Sequence, residues 1–168
     1  MVGVVPNAAY RHFAGRDELL AAVCEAAMGE LAGRMAAGVA RVRGEHGDAA
    51  AARRRLRAIG VAYLEFAYEK PGLFATAFAL PQAHAYGAPS HGAEPDRSPL
   101  GQLRAVLDEL VDAGVLDRQR RDGIEYPIWS TVHGLAVLTT QGPLRDVAEA
   151  SRRRIEQLTS SFIESALT

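Results

Sequence analysis

Gly3-Val4-Val5-Pro6-Asn7-Ala8-Ala9-Tyr10-Arg11-His12-Phe13, followed after Ala14-Gly15 by Arg16-Asp17-Glu18-Leu19-Leu20, is the stretch that decides the fold. Pro6 suits a first helical turn, where its missing N–H would have no partner in any case. The segment reads as a short helix from Pro6 to Phe13, a tight break at Ala14-Gly15, and the start of a long amphipathic helix. Asp17 and Glu18 sit in that helix's first turn, where its dipole favours acids. The short helix presents Asn7, Tyr10 and Arg11, and Phe13 anchors it on the helix that follows. A short helix with polar groups outward can enter a major groove. There Asn can read adenine, Arg can read guanine and Tyr can bond a phosphate. A plain surface helix held down by Phe13 fits the same residues.

Outward from this stretch the chain reads as all-α. Period-2 alternation is nowhere sustained. A helix from Arg16 to Val42 carries Leu20, Val23, Ala27, Leu31, Met35 and Val39 at steps of three and four, one apolar stripe. The next, Asp48 to Glu69, sets Arg53, Arg54, Arg55 and Arg57 outward and buries Leu56, Ile59, Tyr63 and Phe66. Lys70-Pro71-Gly72 interrupts it, and a short apolar helix runs from Leu73 to Leu80. Residues 81–99 hold four prolines and read as a loop. Further helices span Leu100 to Ala113, stopped by Gly114, then Arg118 to Gln141, then Leu144 to Ala166, opened by Gly142-Pro143.

The N-terminal stretch resembles the end of the TetR-family helix-turn-helix. In that family a recognition helix ends in Tyr-x-His-Phe, and a basic residue and Leu-Leu open the next helix. Tyr10, His12, Phe13, Arg16, Leu19 and Leu20 match. The resemblance implies phosphate contacts from Tyr10 and Arg16, base-edge contacts from Asn7 and Arg11, and a place for His12 beside the backbone contact. The family places Ser or Thr where this chain has Val5, so the N-cap oxygen is absent. A second resemblance lies in Trp129-Ser-Thr-Val-His133-Gly134, similar to the Trp-x-x-x-His-Gly signature of one TetR ligand-domain subgroup. Tyr63-Leu-Glu-Phe66-Ala-Tyr68-Glu-Lys-Pro71-Gly72-Leu73-Phe74 resembles the middle helices of that subgroup. The implied organisation is a helix-turn-helix remnant over 1–15 and a helical ligand-binding and dimerisation domain over 16–168. Family members carry about 30 more residues ahead of this point, roughly two helices' worth. The resemblance therefore implies a DNA-binding head that lacks its first helices, and the 168 residues alone should bind operator DNA poorly.

The resemblance implies a ligand-responsive transcriptional repressor, released from its operator by a small apolar effector. The expected pocket lies between Tyr63, Phe66, Phe74 and Phe78 on one side and Trp129 and His133 on the other. Trp129 and His133 are four apart and share a helix face. His133 would be the polar handle of an apolar lining. A packed aromatic core explains the same spacing. The Arg118–Gln141 helix is apolar on several faces, and a second copy of the chain is the economical cover for the spare one. The expected homodimer interface takes Ile128 and Val132 from that helix, then Leu144, Val147, Ile155, Leu158 and Phe162 from the last. Arg152, Arg153 and Arg154 read as its solvated side.

Net charge is −1, so no global basic field announces nucleic acid, but the first sixteen residues carry Arg11, Arg16 and His12 and no acid. A single cysteine, Cys24, precludes an intramolecular disulfide and fits a cytoplasmic protein. No Gly-rich phosphate loop, serine elbow or paired helical metal ligands occur, so no cofactor, metal or enzymatic activity is expected. His84, His91, Tyr86 and Glu94 share the Pro/Gly-rich loop and read as scattered surface groups. Two alternatives stand beside the repressor: a helical ligand-binding dimer without DNA binding, and a small helical-bundle enzyme using His133.

Overall fold

The structure, a computed structural model, describes residue 13, residues 15–78 and residues 95–167, and among these it contains helices and no strand. Asn7, Tyr10, Arg11 and His12 lie outside the described residues, as do His84, Tyr86, His91 and Glu94. Six α-helices follow one another: α1 (Arg16–Ala40), α2 (Ala49–Glu69), α3 (Pro71–Ala77), α4 (Pro99–Asp112), α5 (Glu125–Thr140) and α6 (Glu149–Ala166).

The helix boundaries follow local chemistry. The Asp48 carboxylate caps α2 by accepting from the Ala50 and Ala51 N–H groups. Ser98 caps α4 through the Gly101 N–H, with Pro99 in the first turn. At the end of α4 the Val115 N–H reaches the Leu110 carbonyl and the Gly114 N–H reaches that of Val111, with Gly114 at φ +68. That is a Schellman closure, and it needs a residue at ease in the left-handed region. The helix expected from Arg118 to Gln141 is instead two pieces. Asp117 caps a 3-10 turn, Arg118–Arg120, and Gly123 at φ +74 turns the chain before α5 begins. Pro127 falls in the first turn of α5, where no intrahelical donor is lost. The last helix opens at Glu149, not at Gly142-Pro143. Leu144 and Val147 therefore belong to the connecting turn.

The core lies where α2 is wrapped by α1, α3, α4 and α5. Leu31, Met35, Phe66, Phe74, Leu107 and Leu110 are fully enclosed there. The Cys24 thiol, buried in α1, donates to the Thr76 carbonyl of α3. α6 packs chiefly on α5, at the edge of the assembly. Buried ion pairs join the helices. Arg55 of α2 turns inward, contrary to the outward placement expected from its Arg-rich run, and pairs with the buried Glu109 of α4. Glu125, at the start of α5, is held by Arg104 at 2.9 Å and Arg121 at 2.9 Å. Burial raises the Glu125 carboxyl, but its own backbone N–H and the two guanidinium groups outweigh that and hold it below the ordinary value.

Candidate functional site: a cleft behind an aromatic cluster

Tyr63 of α2 is the hub of the site. One turn of α2 points it at α5, and its hydroxyl lies 2.8 Å from His133 Nδ1. Its ring meets Trp129 at 5.3 Å and Phe74 at 5.7 Å, both edge-on. Phe78 completes the group, 4.7 Å from the His133 ring and 6.3 Å from Trp129. Edge-to-face contacts set the positive rim of one ring on the negative face of the next, so the cluster is specific as well as apolar. Burial holds the His133 imidazole below its ordinary value of 6.5. In its neutral form His133 accepts the Tyr63 proton at Nδ1.

The six expected pocket residues thus divide. Tyr63, Phe74, Phe78, Trp129 and His133 come together, ring against ring. Phe66 does not join them. It faces α1, fully buried, with the Arg34 guanidinium 5.4 Å above its ring. Ring contacts join the two aromatic groups directly. A cleft of about 660 Å³ lies on the other side of Tyr63 and Trp129, between α2, α5 and α6. That volume falls within the roughly 300–1,000 Å³ of small-molecule sites. Of the expected residues, Tyr63 and Trp129 line it. Phe74, Phe78 and His133 stand behind them as support.

The floor of the cleft is apolar: Leu56, Ile59 and Leu64 from α2, Ile128 and Val132 from α5, and Ile163 from α6. Its rim is charged, with Arg57 and Glu65 on α2 facing Glu149, Arg152, Glu156 and Glu164 on α6. Arg57 reaches across to Glu164 at 2.6 Å and ties the two walls together. At one end the Arg152 guanidinium lies 4.6 Å from the centre of the Tyr68 ring. Burial pushes the Tyr68 phenol up to about 12, with the Thr139 hydroxyl opposing and the Glu156 carboxylate adding to the shift.

The family model described as Tetracyclin repressor-like, C-terminal domain matches residues 56–162, which contain most of the residues that line the cleft. The chain belongs to this TetR-like family. Comparison with curated proteins finds no match. A solved structure of a Rhodococcus sp. RHA1 protein of unknown function is 23% identical, with a TM-score of 0.71 over 98% of this chain and 79% of that one. At that identity the likeness shows the fold.

In this TetR-like domain the outer faces of the last two helices carry most of the exposed large apolar side chains. Tyr126 and Leu138 of α5 and Leu158 and Phe162 of α6 are 42–63% exposed, and Val61 of α2 is the remaining one among the described residues. The expected interface residues again divide. Leu158 and Phe162 point outward. Ile128 is 5% exposed inside the chain's own core and lines the cleft, so it offers little surface to another copy, and Val132, partly buried, lines the same cleft. Ile155 packs on the core, and Leu144 and Val147 are half-buried in the α5–α6 turn. Arg16, the one expected DNA contact among the described residues, is exposed at the start of α1.

Sequence reasoning missed Tyr68, Arg152 and Glu156. Arg152 sits in an unbroken Arg run, and nothing local distinguishes it from Arg153 or Arg154. Its partner Tyr68 is 84 positions away in the sequence. The i,i+4 spacing of Arg152 and Glu156 was the available signal, and it marks exposed helix faces just as often.

Proposed function

We propose that this TetR-like domain is the effector-sensing and dimerising part of a ligand-responsive transcriptional repressor. The observation that carries the reading is the double role of α6. One of its stripes, Arg152, Glu156, Ser160 and Glu164, walls the cleft, while Leu158 and Phe162 on another face outward. A small, mainly apolar effector seated on the Leu56–Ile59–Ile128–Val132 floor would bear on α6. α6 packs chiefly on α5 and is tied to α2 by the Arg57–Glu164 pair, so a ligand between α2 and α6 would bear on that pair first. If Leu158, Phe162 and Leu138 meet the same residues of a second copy, a shift of α6 changes the spacing of the two DNA-binding heads. Half-site spacing on DNA is fixed, so affinity for one dimer geometry falls as the other is populated. Operator contact is assigned to Asn7, Tyr10, Arg11, His12 and Arg16. An enzyme using His133 gains no support, because His133 stands behind the wall of the cleft and not in it.

Sedimentation of the chain at tens of micromolar tests the dimer. A dimer is expected, and Leu158→Glu with Phe162→Glu should convert it to a folded monomer with unchanged helix content. A wild-type monomer, or a double variant that remains dimeric, would overturn the assignment.

A further inference from the structure

α2 runs beside α5 in the same direction, since Tyr63 meets His133 and, further along, Tyr68 meets Thr139. α6 runs back the other way, with Glu164 at Arg57 and Arg152 at Tyr68. The lip of the cleft on α2 is the i,i+4 stripe Arg57, Val61 and Glu65. At one end of this lip Arg57 crosses to Glu164 at 2.6 Å and bridges the mouth. At the other end Glu65 is exposed, and no ion pair or hydrogen bond joins it to a described side chain. The remaining charges of the lining are matched. Arg153 pairs with Glu149, and Arg152 lies over the Tyr68 ring with Glu156 3.7 Å from its Nε. Four carboxylates against three guanidinium groups leave one negative charge in excess, and Glu65 is the carboxylate without a partner. Beside that lip the wall is hollow at Gly60, where a Cβ would meet no neighbouring atom within 4 Å. The mouth is thus bridged at one end, open and acidic at the other, and roomy between them above an apolar floor.

We propose that the effector is an amphipathic monocation, its ammonium head at the open end of the mouth beside Glu65 and its apolar body reaching past Gly60 onto Ile59, Ile128 and Val132. The proposal rests on reading the cleft as the effector site. A cation beside Glu65 is attracted without displacing an existing pair. An anion would meet that carboxylate and find each guanidinium already engaged. The head stays at the mouth, because an ammonium taken down to the apolar floor would lose its hydration with no carboxylate to replace it. An exposed pair of this kind is weak, so the apolar body supplies most of the affinity and the head supplies the selectivity.

Trp129 lines the cleft and is the single tryptophan, so its fluorescence reports occupancy. The full chain would be titrated with decyltrimethylammonium, decanol and decanoate, each below its micelle concentration. The ammonium should bind about two- to fivefold more tightly than decanol, the range expected of one exposed ion pair, and decanoate should bind most weakly. Added salt should narrow the spread. Glu65→Gln should bring the ammonium to the level of decanol, and Glu65→Lys should place decanoate above the ammonium. Gly60→Leu improves helix propensity and fills the hollow, so it should abolish the response to all three probes while helix content is kept. Equal binding of ammonium and decanol by the wild type, tightest binding of decanoate, or a preference for the ammonium that survives both Glu65 variants overturns the cation and leaves the cleft standing. No saturable response to any probe, or responses that Gly60→Leu leaves unchanged, overturn the cleft as the site and the cation with it.

Discussion

His133 illustrates what a single residue contributes here. Its imidazole is half-buried among Tyr63, Phe74 and Phe78, and that burial holds its pKa below 6.5. As pH falls below 6.5 the unfolded chain takes up a proton that the folded chain refuses. Stability is therefore lost between 6.5 and the lower folded-state value, and no further loss from this group occurs below it. Protonation would also turn Nδ1 into a donor and reverse the bond with Tyr63. We expect Tm to fall more steeply between pH 7 and pH 5 for the wild type than for His133→Gln. Parallel profiles for the two proteins would show that His133 is not the group responsible. Glu109 makes the complementary case for a buried charge. Glu109→Ala strands the Arg55 guanidinium, 14% exposed, and should cost about 3–5 kcal/mol. Replacing both partners, Arg55→Met with Glu109→Leu, should recover most of that loss in urea denaturation. If the double variant is as unstable as the single one, shape and not stranded charge explains the loss.

At the level of elements, two glycines predict opposite signs. Gly114 closes α4 at φ +68, a conformation that costs an L-residue about 1–2 kcal/mol, so Gly114→Ala should lower stability by that order. Gly33 lies exposed within α1, where a Cβ would meet no atom within 4 Å. Gly33→Ala should raise stability by about 1 kcal/mol through helix propensity alone. Thermal melts of the two variants that shift in the same direction would contradict this account of where helices need glycine. The helices themselves were legible from spacing: the stripe through Leu31 and Met35, the Asp48 start of α2 and the Gly114 stop of α4 all stand where the pattern put them. The split of α5 from the 3-10 turn was not legible. An apolar run from Ile124 to Leu138 carries the same periodicity whether or not Gly123 turns ahead of it.

For the whole molecule, the decisive property is what covers the outer face of α5 and α6. Leu158 and Phe162, at 52% and 63% exposed, are unusually bare for large apolar side chains on a helix that already turns Ile155 and Ile163 to the core. If a second copy covers them, folding and association are linked and Tm rises with protein concentration. Phe162→Glu should flatten that dependence. A wild-type Tm independent of concentration across two decades would argue against a dimer coupled to stability.

By itself, the sequence determined most of the helices, the shared helix face of Trp129 and His133, and the family. Each rests on spacing within one helix or on short motifs, and both survive without knowledge of the packing. Only the tertiary structure decided which side of those aromatics is hollow. Ring stacking fills the side toward Phe74 and Phe78, while α6, held mainly by α5, leaves its cleft against α2 open. It also decided which members of an apolar stripe face inward, placing Ile128 in the core and Phe162 outside. Periodicity gives the direction of a side chain relative to its own helix axis. What stands opposite it is set by helix crossings between residues far apart in the chain, as Arg152 over Tyr68 shows.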